Sequence, residues 1–186
     1  MKKQIIQAIK ERYSPLIFDN KEILEEIMTV LLESGTLAAS SYNNQPWRFI
    51  WAAKGTEGYE KLYSFLSEYN QEWTSTAPVL MIAIAEVVNE KGKGNYHALY
   101  DLGQAVSSMA VQASSMGIQF HQMGGFDSAK ATEELKVSSN FALVSMIAMG
   151  YPGDKNLLNE HFYKRAHEPR VRKSLKEISG GVDFFR

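Results

Sequence analysis

No cysteine occurs in the 186 residues. That removes disulfides, thiolate nucleophiles, iron–sulfur clusters and cysteine zinc sites together. Any redox chemistry must then rest on a bound cofactor, because no side-chain couple is present. Neither sign of charge dominates: 20 Lys and Arg stand against 21 Asp and Glu, a formal net charge of -1. A chain built around nucleic acid normally needs a basic footprint, so no nucleic-acid partner is expected. Long apolar runs are missing too. The longest, Pro78 to Ala85, is far too short to span a bilayer. The opening MKKQIIQAIKERYS breaks its apolar residues with Gln and Lys and forms no signal-peptide core. These features predict a cytoplasmic protein without a membrane partner.

Familiar catalytic signatures are also absent. His97, His121, His161 and His167 make no H-x-x-x-H pair, so no metal site is expected. There is no G-x-S-x-G elbow, no G-x-G-x-x-G fingerprint and no Walker loop.

What is present suits a globular α+β domain: 45% apolar and 22% charged residues. The patterning predicts a short helix over 2–11. A second helix is expected to open on a capping box of Asp19 and Glu22, with Ile23, Ile27, Val30 and Leu31 on one face and Gly35 as its stop. Strands are expected at 47–53, 79–87, 118–122 and 141–150, and shorter helices at 57–67, 70–76 and 128–136. The run VLMIAIAEV reads as a central strand buried on both faces.

From Asn95 to Met116 the apolar residues Leu99, Leu102, Val106, Met109, Ala113 and Met116 alternate three and four apart, predicting a long helix with one buried seam. Its small residues and low charge mark it as a candidate core helix of a dimer. From Asn156 the chain turns polar and basic, then ends near an apolar VDFF segment that suits a strand added to a neighbouring subunit.

Four stretches carry candidate chemistry. Arg12-Tyr13-Ser14-Pro15 offers a guanidinium and a hydroxyl suited to phosphate, though a solvated Arg before a Ser-Pro turn is the commoner arrangement. Ser40 to Phe49 holds two serines and three amide side chains, whose donors and acceptors match the edge of a flavin or base. A turn bonded to its own backbone is an equal reading. His121 to Asp127 contains Gly124 and Gly125, which permit close backbone approach to a flat ligand or simply a strand-to-helix turn. Arg170 and Arg172 alternate, so an extended segment points both to one side, toward a phosphate or toward water.

The order of these pieces is more specific than any one of them. The chain resembles the FMN-dependent nitroreductase family over nearly its whole length. The matching blocks are Arg12-Tyr13-Ser14, Ser40 to Trp47, Asn70-Gln71 with Ala77-Pro78, Asp101-Leu102-Gly103, Met123 to Asp127, Gly150-Tyr151-Pro152-Gly153 and Arg170-Val171-Arg172.

The resemblance implies a three-layer α+β fold in one domain over 1–186, with a mixed, mainly antiparallel sheet flanked by helices. It implies an intertwined homodimer whose swapped tail, from about 156 to 186, lies on the partner. Two FMN molecules would sit between subunits. Arg12, Ser14, Arg170 and Arg172 would hold the phosphate, with Tyr13 nearby. Ser40, Ser41, Asn43 and Gln45 would line the flavin, partly from the opposite chain. Asn70 would touch the ring or ribityl region, and Met123, Gly124 and Gly125 its reactive edge. NADH or NADPH would donate electrons and a small planar acceptor, a nitroaromatic or quinone, would take two in a ping-pong cycle. No side chain is singled out as acid or base. Reductive dehalogenation, oxygen-dependent flavin chemistry and a non-catalytic FMN-binding dimer are the alternatives. One departure stands out: the family usually has Lys or Arg where this chain has Leu16, which implies a lower flavin potential or a substitute cation, with Arg48 a candidate.

Overall fold

The computed structural model describes residues 4–185. Four strands form its middle layer: β1 (Trp47–Ala53), β2 (Val79–Glu86), β3 (Gln119–Met123) and β4 (Phe141–Gly150). Their order is β1-β2-β4-β3. All three pairings are antiparallel, so the parallel part of the expected mixed sheet is absent among the described residues. β2 is buried from Val79 to Ala85. Val79, Met81, Ala83 and Ala85 enter one apolar cluster, and Leu80, Ile82 and Ile84 enter the other. A strand with two dry faces cannot alternate polar and apolar residues, hence its continuous run.

The helices are α1 (Gln7–Glu11), α2 (Glu25–Thr36), α3 (Glu57–Tyr63), α4 (Glu68–Thr74), α5 (Ala98–Ser115), α6 (Ser128–Glu134), α7 (Glu160–His167) and α8 (Leu175–Ile178). α2 and α5 cover one face of the sheet through Met28, Leu31, Leu102, Val106 and Met109. Tyr59, Leu62, Trp73, Ala131 and Phe162, from α3, α4, α6 and α7, cover the other. The three layers follow. Each fully buried Leu or Met among them contributes roughly 1.5–3 kcal/mol.

Several expectations need correction. α2 does not open on Asp19 and Glu22: Asp19 Oδ1 accepts the Lys21 N–H at 2.8 Å in a tight turn, and the helix begins after Leu24 without a side-chain cap. Val30 lies outward, and Met28 and Gly35 join Leu31 in the buried face. Gly35 is not a stop. A Cβ there would meet Met109 Cγ and Sδ at 2.9 Å, so the glycine allows α2 to approach α5. In α5 the buried seam runs through Ala98 and Asp101, while Leu99 is 55% exposed. In the single chain the segment 181–185 forms turns. Its Phe184 and Phe185 rings pack on each other at 4.9 Å. Residues 2–3 of the expected first helix, and Arg186 at the tail, lie outside the described residues. Among the described residues no helix is long and apolar enough to cross a membrane.

Candidate functional site

β3 organises the first part of the site. Gln119, at its start, accepts the Tyr13 N–H on Oε1 at 2.9 Å, and His121 Nδ1 lies 2.7 Å from the Pro15 carbonyl. These two contacts hold the segment after α1 against the sheet edge. Arg170 then closes it from the far end of the chain. Its guanidinium donates to the carbonyls of Arg12 at 2.7 Å and Lys10 at 3.0 Å, satisfying the open C-terminal end of α1.

The result is a cavity of ≈ 600 Å³. Lys10, Arg12, Lys155, Arg165, Arg170 and Arg172 line it against two carboxylates, Glu11 and Glu168. Arg12, Arg165, Arg170 and Arg172 are in no ion pair among the described residues. Burial, then the charges of Arg170 and Arg172, lower the pKa of Arg12. A guanidinium stays charged regardless, so this crowding is repulsion that a bound anion would relieve. Burial pushes Tyr13 up, which keeps its phenol protonated. The exposed Ser14 adds a hydroxyl at the rim.

The second part adjoins the first. A cavity of ≈ 320 Å³ lies at the end of β3, lined by Ser67, Tyr69, Asn70, Trp73, Met123, Gly124 and Gly125. It shares His121 and Arg165 with the larger cavity, so the two form one groove. Asn70 is spent on building this end. Its Nδ2 donates to the Gly125 carbonyl at 2.9 Å and its Oδ1 accepts from Trp73 Nε1 at 3.2 Å. A Cβ on Gly125 would stand 2.8 Å from Asn70 Nδ2, whereas Gly124 has open space on that side. The pair thus makes a flat backbone surface open to a planar ligand. His121 stacks on Trp73 with ring centroids 4.2 Å apart. Burial lowers its pKa, the Pro15 bond opposes this, and the Arg165 charge lowers it further, leaving the ring neutral near pH 7.

The third part stands elsewhere. Ser40 leads into a 3-10 turn over Ser41–Asn43. Tyr42, Asn43 and Gln45 have φ of 53°, 55° and 47°. Each such residue costs ~1–2 kcal/mol, and strain of this kind collects at functional sites. Ser40 Oγ accepts the Gln45 N–H at 3.0 Å, and the buried Asp101 of α5 accepts the Ser41 N–H at 3.0 Å. Asp101 is therefore a support for this loop. The loop borders a cavity of ≈ 540 Å³ through Ser41, Tyr42 and Asn44, and none of its residues lines the groove at Arg12. Within one chain, then, Arg12, Tyr13, Ser14, Arg170 and Arg172 come together beside Asn70, Met123, Gly124 and Gly125. Ser40, Ser41, Asn43 and Gln45 do not join them.

Leu16 lines the large cavity and is only 5% exposed, packed in the apolar cluster below. Arg48 does not replace the missing cation in the same chain. It lines the third cavity and pairs with Glu86 at 3.0 Å. Sequence reasoning did not single out His121, Lys155 or Arg165 as site residues. His121 had a signal, its place on a strand ahead of two glycines; the other two had none beyond a basic tail. No cluster of three metal-ligating side chains occurs among the described residues.

Comparison with known proteins gives a consistent match. The nitroreductase family model matches residues 9–68 and 56–151. An oxygen-insensitive NADPH nitroreductase of Helicobacter pylori is 25% identical over 147 residues, 77% of this chain and 67% of that protein. A solved structure described as an oxidoreductase containing FMN superposes with a TM-score of 0.91 at 28% identity, covering 98% of this chain and 93% of that one. A nitroreductase family protein from Streptococcus pneumoniae TIGR4 shares the fold, with a TM-score of 0.74 at 20% identity over 94% of this chain and 98% of that one.

Proposed function

Because the chain belongs to the nitroreductase family, we propose that it binds FMN and uses NAD(P)H to reduce nitroaromatic or quinone-type acceptors. The observation that carries this reading is the continuity of a cation-rich cavity with a glycine turn, joined through His121 and Arg165. Arg12, Arg170 and Arg172 suit a phosphate, with the Ser14 hydroxyl as a further donor. Tyr13 stays a neutral phenol beside them. Met123, Gly124 and Gly125, held by Asn70, suit the approach of a flat ring system to backbone. Bound FMN would supply the two-electron chemistry, a hydride taken from NADH or NADPH and two electrons passed to the acceptor. The protein's part is to fix the phosphate, expose one face of the ring and exclude the wrong geometry.

Homodimerisation belongs to the same proposal. Ser40, Ser41, Asn43 and Gln45 would complete the site of a partner subunit. The expected swap from about 156 is narrowed, because Phe162 and Arg170 pack on their own chain; only the tail beyond Arg172 would lie on that subunit. The exposed Leu99 and Tyr100 of α5, at 55% and 71%, are in keeping with a covered helix face. The reaction is proposed for the cytoplasm, where NAD(P)H is supplied.

The test is an absorption spectrum after incubation with FMN and desalting. Bands of bound flavin at about one FMN per chain are expected, followed by bleaching on addition of NADH or NADPH. A colourless protein that leaves all FMN in the filtrate would refute the reading.

A further inference from the structure

We infer that Arg165 is a charge-tuning residue: its guanidinium, held at the glycine-turn end of the groove, stabilises negative charge on the planar part of the bound cofactor and raises its reduction potential. This rests on the FMN reading above.

The first support is place. Arg165 lines both halves of the groove. Its Nη1 donates to the Tyr69 hydroxyl, and its Cζ lies 5.8 Å from the Tyr69 ring centroid. Tyr69 lines the small cavity and not the large one. The cationic head is therefore held on the side of the small cavity, whose lining includes Gly124 and Gly125.

The second support is separation from the phosphate cradle. Arg12 feels the charges of Arg170 and Arg172, whereas the charge of Arg165 is felt at His121. The groove thus carries two positive centres. One is crowded and built for a multiply charged anion; the other is a single cation some way along.

The third support is the lack of a counter-charge. Arg165 is in no ion pair among the described residues. It is also the one Arg or Lys lining the small cavity, and no carboxylate lines that cavity. Leu16 offers no charge, His121 is neutral, and Arg48 is paired with Glu86 in another cavity. A cation without a counter-charge acts on negative charge that appears beside it, and exclusion of water by a bound ring strengthens that action.

The helix holds this charge firmly. Asn159 Oδ1 caps the start of α7 by accepting the Phe162 N–H at 3.0 Å, and Phe162 is 2% exposed. Near its other end, Lys155 Nζ donates to the Ala166 carbonyl at 2.9 Å. Arg165 is thus presented from a docked helix.

A cation at the ring binds the reduced cofactor more tightly than the oxidised one, whereas a phosphate ligand binds both alike. The experiment compares the holoprotein with R165Q and R165K, measuring FMN dissociation constants by titration and midpoint potentials by spectroelectrochemistry. R165Q is expected to hold oxidised FMN within about threefold of wild type and to weaken reduced FMN about tenfold more than oxidised FMN, a potential ~30 mV lower. R165K is expected to recover most of that shift. FMN retained by R165Q at an unchanged potential overturns this inference alone, and so does an equal weakening of both redox forms. A wild-type protein that retains no FMN overturns this inference together with the reading beneath it.

Discussion

Around Arg12, cations from the two ends of the chain are forced into one cavity, and the cost of the arrangement is electrostatic. At Ser40 to Gln45 there is no such crowding, and the cost is conformational: three side-chain-bearing residues sit at positive φ. The two costs are answered differently. Repulsion at Arg12 is relieved by an anion that the same chain can enclose. Strain in the loop is held by Asp101 and Ser40 of its own chain, yet Tyr42 is 96% exposed and none of the loop residues lines the groove. One region is a receptacle and the other a display, in keeping with the proposal that two copies share a site.

The largest effect is expected from removing the receptacle's charge. The double variant R170A/R172A should weaken FMN binding on the order of 10²–10⁴-fold, given ~1.5–3 kcal/mol for each charge-assisted contact. A flavin fluorescence titration measures this, and a loss below about fivefold would put the phosphate elsewhere. A smaller effect is expected at the glycine turn. In Gly125→Ala the new Cβ would lie 2.8 Å from Asn70 Nδ2, so the Asn70–Gly125 contact must shift. Chemical denaturation should show a loss of ~1–3 kcal/mol, and an unchanged midpoint would mean that the turn yields freely. The smallest effect sharpens the contrast. Gln45→Gly relieves a φ of 47°. Thermal melting without FMN should rise, by ~0.5–1 kcal/mol of stability, while flavin retention falls. A lower melting point would mean that the loop conformation carries no cost.

Legibility in the sequence followed the range of the interactions involved. The strands at 47–53 and 141–150 match β1 and β4 because a strand's period and its bounding turns are local. The start of α2 was misread because Asp19 and Glu22 have the spacing of a cap, but Asp19 closes a turn of its own. Leu99 was placed in the α5 seam because periodicity finds an apolar stripe without saying where its edge meets water. In the site, Arg12, Ser14, Arg170 and Arg172 were legible through their blocks. Arg165 was not, since only the docking of α7 through Phe162 places it, and Lys155, outside that helix, is tied to it only by its bond to the Ala166 carbonyl. Asn43 at positive φ is unsurprising for its residue type. The sequence has no local mark for Tyr42 or Gln45 in that region.

The contacts of Arg170 with Lys10 and Arg12 join positions 160 and 158 residues apart. On the ribosome, the first strand and the central strand emerge long before either contact has its donor. The proposed phosphate cradle would therefore form late, available only once residue 172 has cleared the exit tunnel. On the proposed reading, cofactor loading would be an event of the nearly finished chain, and a product truncated before Arg165, however well its sheet has formed, would lack three of the cations that line the cavity.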